Sequence, residues 1–322
     1  MSLPPPATTS AGPTVSQLAA SRRQCRDIAR SHYENFLVGS LLLPRRMRQP
    51  FFDVYAFCRT ADDLADESES AAVASASLAK YRDCLARIYD DQNVEGLFIA
   101  LADTIRQFRL PRQPFDDLLD AFVQDQTVHR YHDEDSLLKY CARSANPVGR
   151  LVLAMGESDS DENVRLSDEI CTALQLANFW QDVARDYAIG RIYLPATVMT
   201  DHGFDETLIE QTIKTGQSTP RCFRDAIASQ CARTRERFER GRTLPAKLPK
   251  WLAADIELFI HGGLATLDAI ERIDCDVLRR RPTVSKGKQA YLFARALLRK
   301  ASPGDRQRRM ANHAKVAGEG TP

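Results

Sequence analysis

Apolar residues recur at spacings of three and four along most of the chain, and no series alternates with the period of two that a half-buried strand requires. The clearest stripe lies in 162–188, where Leu166, Ile170, Leu174 and Ala177 share one face. The same period predicts helices over 16–38, from Pro44 to about Glu69, and over 71–90, 95–107, 112–128, 135–155, 205–214, 218–243, 251–279 and 284–299. Pro44 suits a first helical turn, where a missing N–H has no intrahelical partner to lose. Gly and Pro fall mainly at segment boundaries, with no internal repeat and no clear linker. The expected fold is all-α, a single domain over 16–300. A flexible Pro/Ser/Thr-rich leader is expected over 1–15 and a flexible basic tail over 301–322.

Composition narrows the classes of function. Of 322 residues 43% are apolar, enough for a substantial core. The 44 Lys and Arg nearly balance 43 Asp and Glu, for a formal charge of +1, so a nucleic-acid partner is not expected. No run of about 18 apolar residues predicts a membrane span, and no basic-then-apolar start predicts a secretory signal. The eight cysteines include no CxxC pair and no Cys/His cluster of zinc spacing. They read as reduced packing residues of a cytoplasmic protein.

Two acidic segments carry the candidate chemistry. In Cys58-Arg-Thr-Ala-Asp-Asp-Leu-Ala-Asp-Glu67, Asp62 and Asp66 are four apart and share a helix face, with Arg59 one turn earlier. Like charges at this spacing destabilise a helix by a few tenths of a kcal/mol, a cost that a bound divalent cation reverses. Hard oxygen ligands on a preformed face suit Mg²⁺, which keeps waters and shares phosphate oxygens. A solvated acidic helix end is the plain alternative, weakened by the apolar run Phe51–Cys58 just before it. In Gln175-Leu-Ala-Asn-Phe-Trp-Gln-Asp-Val-Ala-Arg-Asp186, Asn178, Asp182 and Asp186 recur at i, i+4 and i+8. They form a stripe that could equally satisfy neighbouring backbone or Arg groups. If the two stripes face each other, they cage several Mg²⁺ ions whose natural ligand is a diphosphate. Gly190 is placed to close the second helix and turn Arg191 toward the same phosphates.

With their flanks, these segments resemble the squalene/phytoene synthase family of class I isoprenoid enzymes. The markers are YAFCRTADDLADE, YCARSANPVG, QLANFWQDVARD and GRIYLP, in that order, within about residues 20–300. The resemblance implies an all-α fold around a central cavity, with Mg²⁺ at one end and apolar walls that shield carbocations. By position it implies Asp62, Asp66, Asn178, Asp182 and Asp186 as metal ligands. His32, Asn35, Tyr55, Arg59, Gln175 and Arg191 would bind substrate. Tyr140 is implied near the reacting centre as a neutral phenol, its alternative being core packing.

The departures are specific. Glu34 and Asn35 stand where relatives that condense two prenyl diphosphates commonly carry serines, and a carboxylate there repels a second diphosphate. Ser144-Ala145-Asn146 replaces a usual Val-Ala-Gly, and Gln181 stands where Arg is common. No tyrosine occurs between Trp251 and Leu278, and no nicotinamide fingerprint or C-terminal hydrophobic anchor is present. The segments HYENF, SLLLPRR, SANPVGR and NFWQDVA look most like the bacterial hydroxysqualene synthases. These ionise presqualene diphosphate and capture the cation with water in a three-enzyme route to squalene and hopanoids. That resemblance implies Mg²⁺ without a nicotinamide cofactor. It also implies Asn146 or Ser144 as holder of the quenching water, and association with a presqualene diphosphate synthase and a hydroxysqualene reductase. Condensation of two farnesyl or geranylgeranyl diphosphates, a terpene cyclase, and an inactive helical scaffold or lipid carrier remain alternatives. The basic run Arg279–Lys288 reads as a solvated loop, or else as an attraction to the anionic inner face of the membrane.

Overall fold

The computed structural model describes residues 12–31 and 43–301, so His32, Glu34 and Asn35 lie outside the described residues. Helix α1 (Val15–Ser31) is followed by α2 (Arg45–Asp66), α3 (Ala71–Tyr89), α4 (Leu97–Phe108) and α5 (Gln113–Gln124). Then come α6 (Glu134–Ser144), α7 (Asn146–Met155), α8 (Asp161–Ala188), α9 (Ala196–Asp201) and α10 (Glu206–Thr215). The long α11 (Arg221–Gly241), a 3₁₀ turn (Leu244–Lys247), α12 (Lys250–Arg272) and α13 (Lys286–Ala301) complete the described chain. Among the described residues there is no strand, only a lone parallel bridge between Arg130 and Ile192. Among them, too, no helix is long and apolar enough to cross a membrane.

Local chemistry sets the helix ends. The Ser70 side chain accepts from the Val73 N–H, and Asp133 and Ser136 form a capping box on α6. Ser160 accepts from the Asn163 N–H to start α8. The segment 135–155, expected as one helix, is two. Ala145 leaves helical geometry (φ −121°, ψ −47°) just before Asn146-Pro147, where the proline also removes one helical hydrogen bond. The helix expected to reach residue 279 stops at Arg272, because Asp274 and Cys275 take left-handed φ of 55° and 56°. Six-residue α9 is too short to announce itself by periodicity.

The core has two centres. One packs α1–α5 and α7 around Phe57, Leu101 and Phe115; the other packs α5–α12 around Trp180, Phe223 and Phe238. Val152 and Trp251 border both. Helix α8 packs on α6, α7, α11 and α12, and α2 packs on α1, α3, α4 and α5. The chemistry-bearing ends of α2 and α8 thus belong to different centres. All eight cysteines are unpaired and buried or half-buried, as packing residues should be.

At Gly263, α12 approaches α11 and α8 so closely that an added Cβ would lie 2.3 Å from Phe238 Cζ and 3.0 Å from Leu174 Cδ2. Phe238 is buried. Gly263→Ala is expected to cost about 1–3 kcal/mol through overpacking. A thermal melt that does not move would show that the contact relaxes freely.

Candidate active site

The first acidic motif forms the last turn of α2. Arg59 forks across it, with Nη1 donating to Asp62 Oδ2 at 2.9 Å and Nη2 lying 2.5 Å from Asp63 Oδ1. Asp63 therefore shares the arginine with Asp62. Burial, then Asp66, pushes the Asp62 carboxyl above its ordinary range, against the pull of Arg59 and Arg191. Tyr55 lies in the same field. Burial raises its phenol, opposed by Arg59 and reinforced by Asp62 and Asp63.

The second motif runs down α8 to its C-terminus. Asn178 is exposed, Gln175, Asp182 and Asp186 are half-buried, and Phe179 and Trp180 are buried. Burial, then the neighbouring Asp182, lifts Asp186 to about 7, with Arg191 and Arg185 opposing. Helix α8 closes as expected at Gly190 (φ 82°) in a Schellman motif. The Gly190 N–H donates to the Tyr187 carbonyl at 2.9 Å, and the Arg191 N–H donates to the Asp186 carbonyl at 2.8 Å. Arg130 Nη1 also donates to the Gly190 carbonyl. This turn throws the Arg191 side chain across to α2, where Nη2 donates to Asp66 Oδ1 at 3.3 Å. Arg191 is therefore the link that brings the two motifs together. Burial works against its charge, but Tyr193, Asp125 and Asp66 more than compensate, and its pKa is raised.

Asp125 and Arg281 were not legible as site residues. Asp125 follows α5 and is 9% exposed. Its Oδ2 accepts from the Tyr140 hydroxyl at 2.9 Å, and its Oδ1 has no hydrogen-bond partner. Burial lifts this carboxyl to about 6, against Tyr140 and Arg191, with Asp66 and Asp62 adding to the rise. Burial and the Asp125 charge push the Tyr140 phenol far upward, so it stays protonated. Around that bond Tyr131, Tyr140, Phe179 and Tyr193 form one ring cluster, with Phe179 and Tyr193 stacked at 3.7 Å and 9°. Arg281 leaves the basic run to grip Asp182 with both ends of its guanidinium, Nε to Oδ1 at 2.5 Å and Nη2 to Oδ2 at 3.0 Å. The run is therefore not simply a solvated loop. Asn146 is buried, and its Oδ1 accepts from Thr172 at 2.9 Å.

A model of the squalene/phytoene synthase family matches residues 29–288. The chain belongs to that family. Among solved structures, the squalene synthase HpnC of Alicyclobacillus acidocaldarius is 40% identical, with a TM-score of 0.76 over 82% of this chain and 97% of that one. A dehydrosqualene synthase in complex with ligand shares the fold at 22% identity and a TM-score of 0.77, over 87% and 96%. The 15-cis-phytoene synthase of Synechococcus elongatus is 27% identical over 303 residues, 88% of this chain and 95% of the relative. The chain is thus a squalene/phytoene synthase family enzyme of isoprenoid biosynthesis with the matching all-α fold.

This squalene/phytoene synthase carries a surplus of site carboxylates over its three arginines. Among the described residues no three His, Cys, Asp or Glu side chains converge into a closed metal cage. The donor set nonetheless fits Mg²⁺, which needs only one or two carboxylates and fills its octahedron with water and phosphate oxygens. The raised Asp62 and Asp186 mark where negative charge is least compensated.

Proposed function

We propose that this enzyme is a hydroxysqualene synthase, ionising presqualene diphosphate and capturing the rearranged cation with water. The observation that carries the finer reading is Ser144. Its Oγ is buried without a hydrogen-bond partner, and it lies four residues after Tyr140 on the same face of α6. A buried hydroxyl calls for a partner, and a reacting water is one. The 40% identity to a protein named squalene synthase HpnC supports a squalene-type carbon skeleton.

Asp62, Asp66, Asn178, Asp182 and Asp186 would hold Mg²⁺, which when bound neutralises charge on the departing diphosphate. Arg59 and Arg191 orient the same group through their guanidinium forks. Cleavage of the C–O bond leaves a cyclopropylcarbinyl cation. The Tyr131–Tyr140–Phe179–Tyr193 cluster excludes stray water and offers aromatic faces to positive charge. Tyr140, held neutral against Asp125, keeps its hydroxyl fixed. Water at Ser144 then adds to the late cation and releases a proton, giving hydroxysqualene and diphosphate. No redox cofactor enters this reaction.

The test is product analysis by mass spectrometry with presqualene diphosphate and Mg²⁺, without nicotinamide, beside a farnesyl diphosphate control. Hydroxysqualene from the first and nothing from the second is expected. Presqualene diphosphate or a hydrocarbon formed from farnesyl diphosphate would place the enzyme at the condensation step instead. Ser144→Ala is expected to lower the yield of alcohol about tenfold relative to other products of the same cation. An unchanged product ratio would remove Ser144 from the reaction. Asn146→Gly is a less clean probe, since it also removes the acceptor of Thr172.

A further inference from the structure

Helix α13 presents apolar side chains to the outside. Leu292 and Ala296 are buried on the side that packs against α12. On the opposite side Tyr291 is 59%, Leu297 41% and Leu298 74% exposed, with exposed Ala290 and Ala294 completing the strip. Tyr291 and Leu298 are seven apart, two turns along one face. Basic residues border the strip, with Lys286 on one edge and Lys288 and Arg295 on the other. The second edge lies along α12. Arg299 pairs with Glu257, and His261 is lowered by burial and by the charges of Arg295 and Lys288. Between Asp276 and Asp305 the sequence has no acidic residue.

We infer that the outer face of α13 docks in the plane of an anionic lipid bilayer. An apolar strip edged by long basic side chains is the pattern of an interfacial helix: the strip enters the acyl boundary while the cations reach the headgroups. Each such cation near an anionic surface contributes to attraction. Charge decides against the other occupants. A second copy would bring two basic faces together, and the following residues 302–322 carry more Lys and Arg than Asp and Glu. The docking element is α13 rather than the arginine run before it. In that run Arg281 is engaged by Asp182, and Arg279 and Arg280 lie 3.8 Å and 3.7 Å from Asp276. The inference does not depend on which isoprenoid reaction the enzyme performs.

The experiment is co-sedimentation of the full chain with phosphatidylcholine vesicles, with and without about 30% phosphatidylglycerol. Binding to the anionic vesicles is expected, weakened by about 0.5 M salt. The double variant Tyr291→Glu/Leu298→Glu, checked for an unchanged melt, is expected to partition about tenfold less. Equal sedimentation of this variant, or no sedimentation of the parent protein, would overturn the inference. So would a dimer seen by light scattering that the variant abolishes. Tyr291→Trp gives a second readout. Its emission should shift to the blue on anionic vesicles, and an unmoved spectrum counts against docking.

Discussion

Asp186→Asn is expected to cut turnover sharply while raising the melting temperature of the metal-free protein at pH 8. The carboxyl of Asp186 is lifted to about 7 by burial and by Asp182, from an ordinary value of 3.8. The folded state therefore holds the proton more tightly than the unfolded state. Stability conferred by that proton is present below the unfolded value and is lost as pH rises to 7, leaving a charged, uncompensated carboxylate above it. An amide carries no such charge. Solvent around the half-buried group reduces the effect, and a gain of about 1 kcal/mol, or roughly 2–4 °C, is expected at pH 8 and none near pH 4. Turnover should fall by about 10²-fold or more because a hard anionic donor is gone. Melting in chelator at both pH values, beside product formation with Mg²⁺, checks the pair. A variant that melts lower at pH 8 would refute the surplus-charge account, and one that retains turnover would remove Asp186 from the metal site.

Arg191→Ala should act with the opposite sign on stability. Arg191 is bonded to Asp66, and its charge lowers Asp62, Asp125 and Asp186. Its loss leaves these carboxylates without their shared cation. A destabilisation of about 2–3 kcal/mol is expected at pH 8, shrinking toward pH 5 as the carboxyls take up protons. Loss of a diphosphate donor should cost turnover about 10²–10³-fold. Arg191→Lys keeps the charge, so most stability should return. Turnover should recover only in part, because an ammonium cannot fork across two oxygens. Melting curves against pH for the three proteins decide the matter. Equal pH dependence in all of them would mean that Arg191 is not the shared counter-charge.

What was legible in the sequence was what a single helix encodes. The i, i+4 spacing of Asp62 with Asp66, and of Asn178, Asp182 and Asp186, is local, and the helical period placed it on the correct elements. Gly190 announced the turn that aims Arg191, because only a left-handed residue closes a helix that way cheaply. Asp125 gave no such signal. It is one acid at a helix end, and its place in the site comes from a hydrogen bond to Tyr140 on another helix and from the fields of Arg191, Asp66 and Asp62. Arg281 sits 99 residues from Asp182 in a run that reads as solvated, and only the packed fold returns it to α8. The break at Ala145 was foreshadowed by Pro147, but continuous apolar periodicity outweighed it. For Asp125 and Arg281 the missing information was tertiary, whereas at Ala145 it was local and underweighted.

Both acidic motifs reach the final turn of their helices, α2 ending at Asp66 and α8 at Ala188, with Asp66 and Asp186 inside that turn. Those ends are the negative poles of the helix macrodipoles, where carboxylates are least welcome, and the last turn of α2 contains no basic residue. Under the proposed function, this arrangement places charge unfavourably until a cation neutralises it. A directed-evolution screen for heat resistance, run without a divalent cation, would enrich neutral replacements at Asp62 and Asp186, the two motif carboxyls that the fold raises. It would select sturdier proteins by dismantling the enzyme.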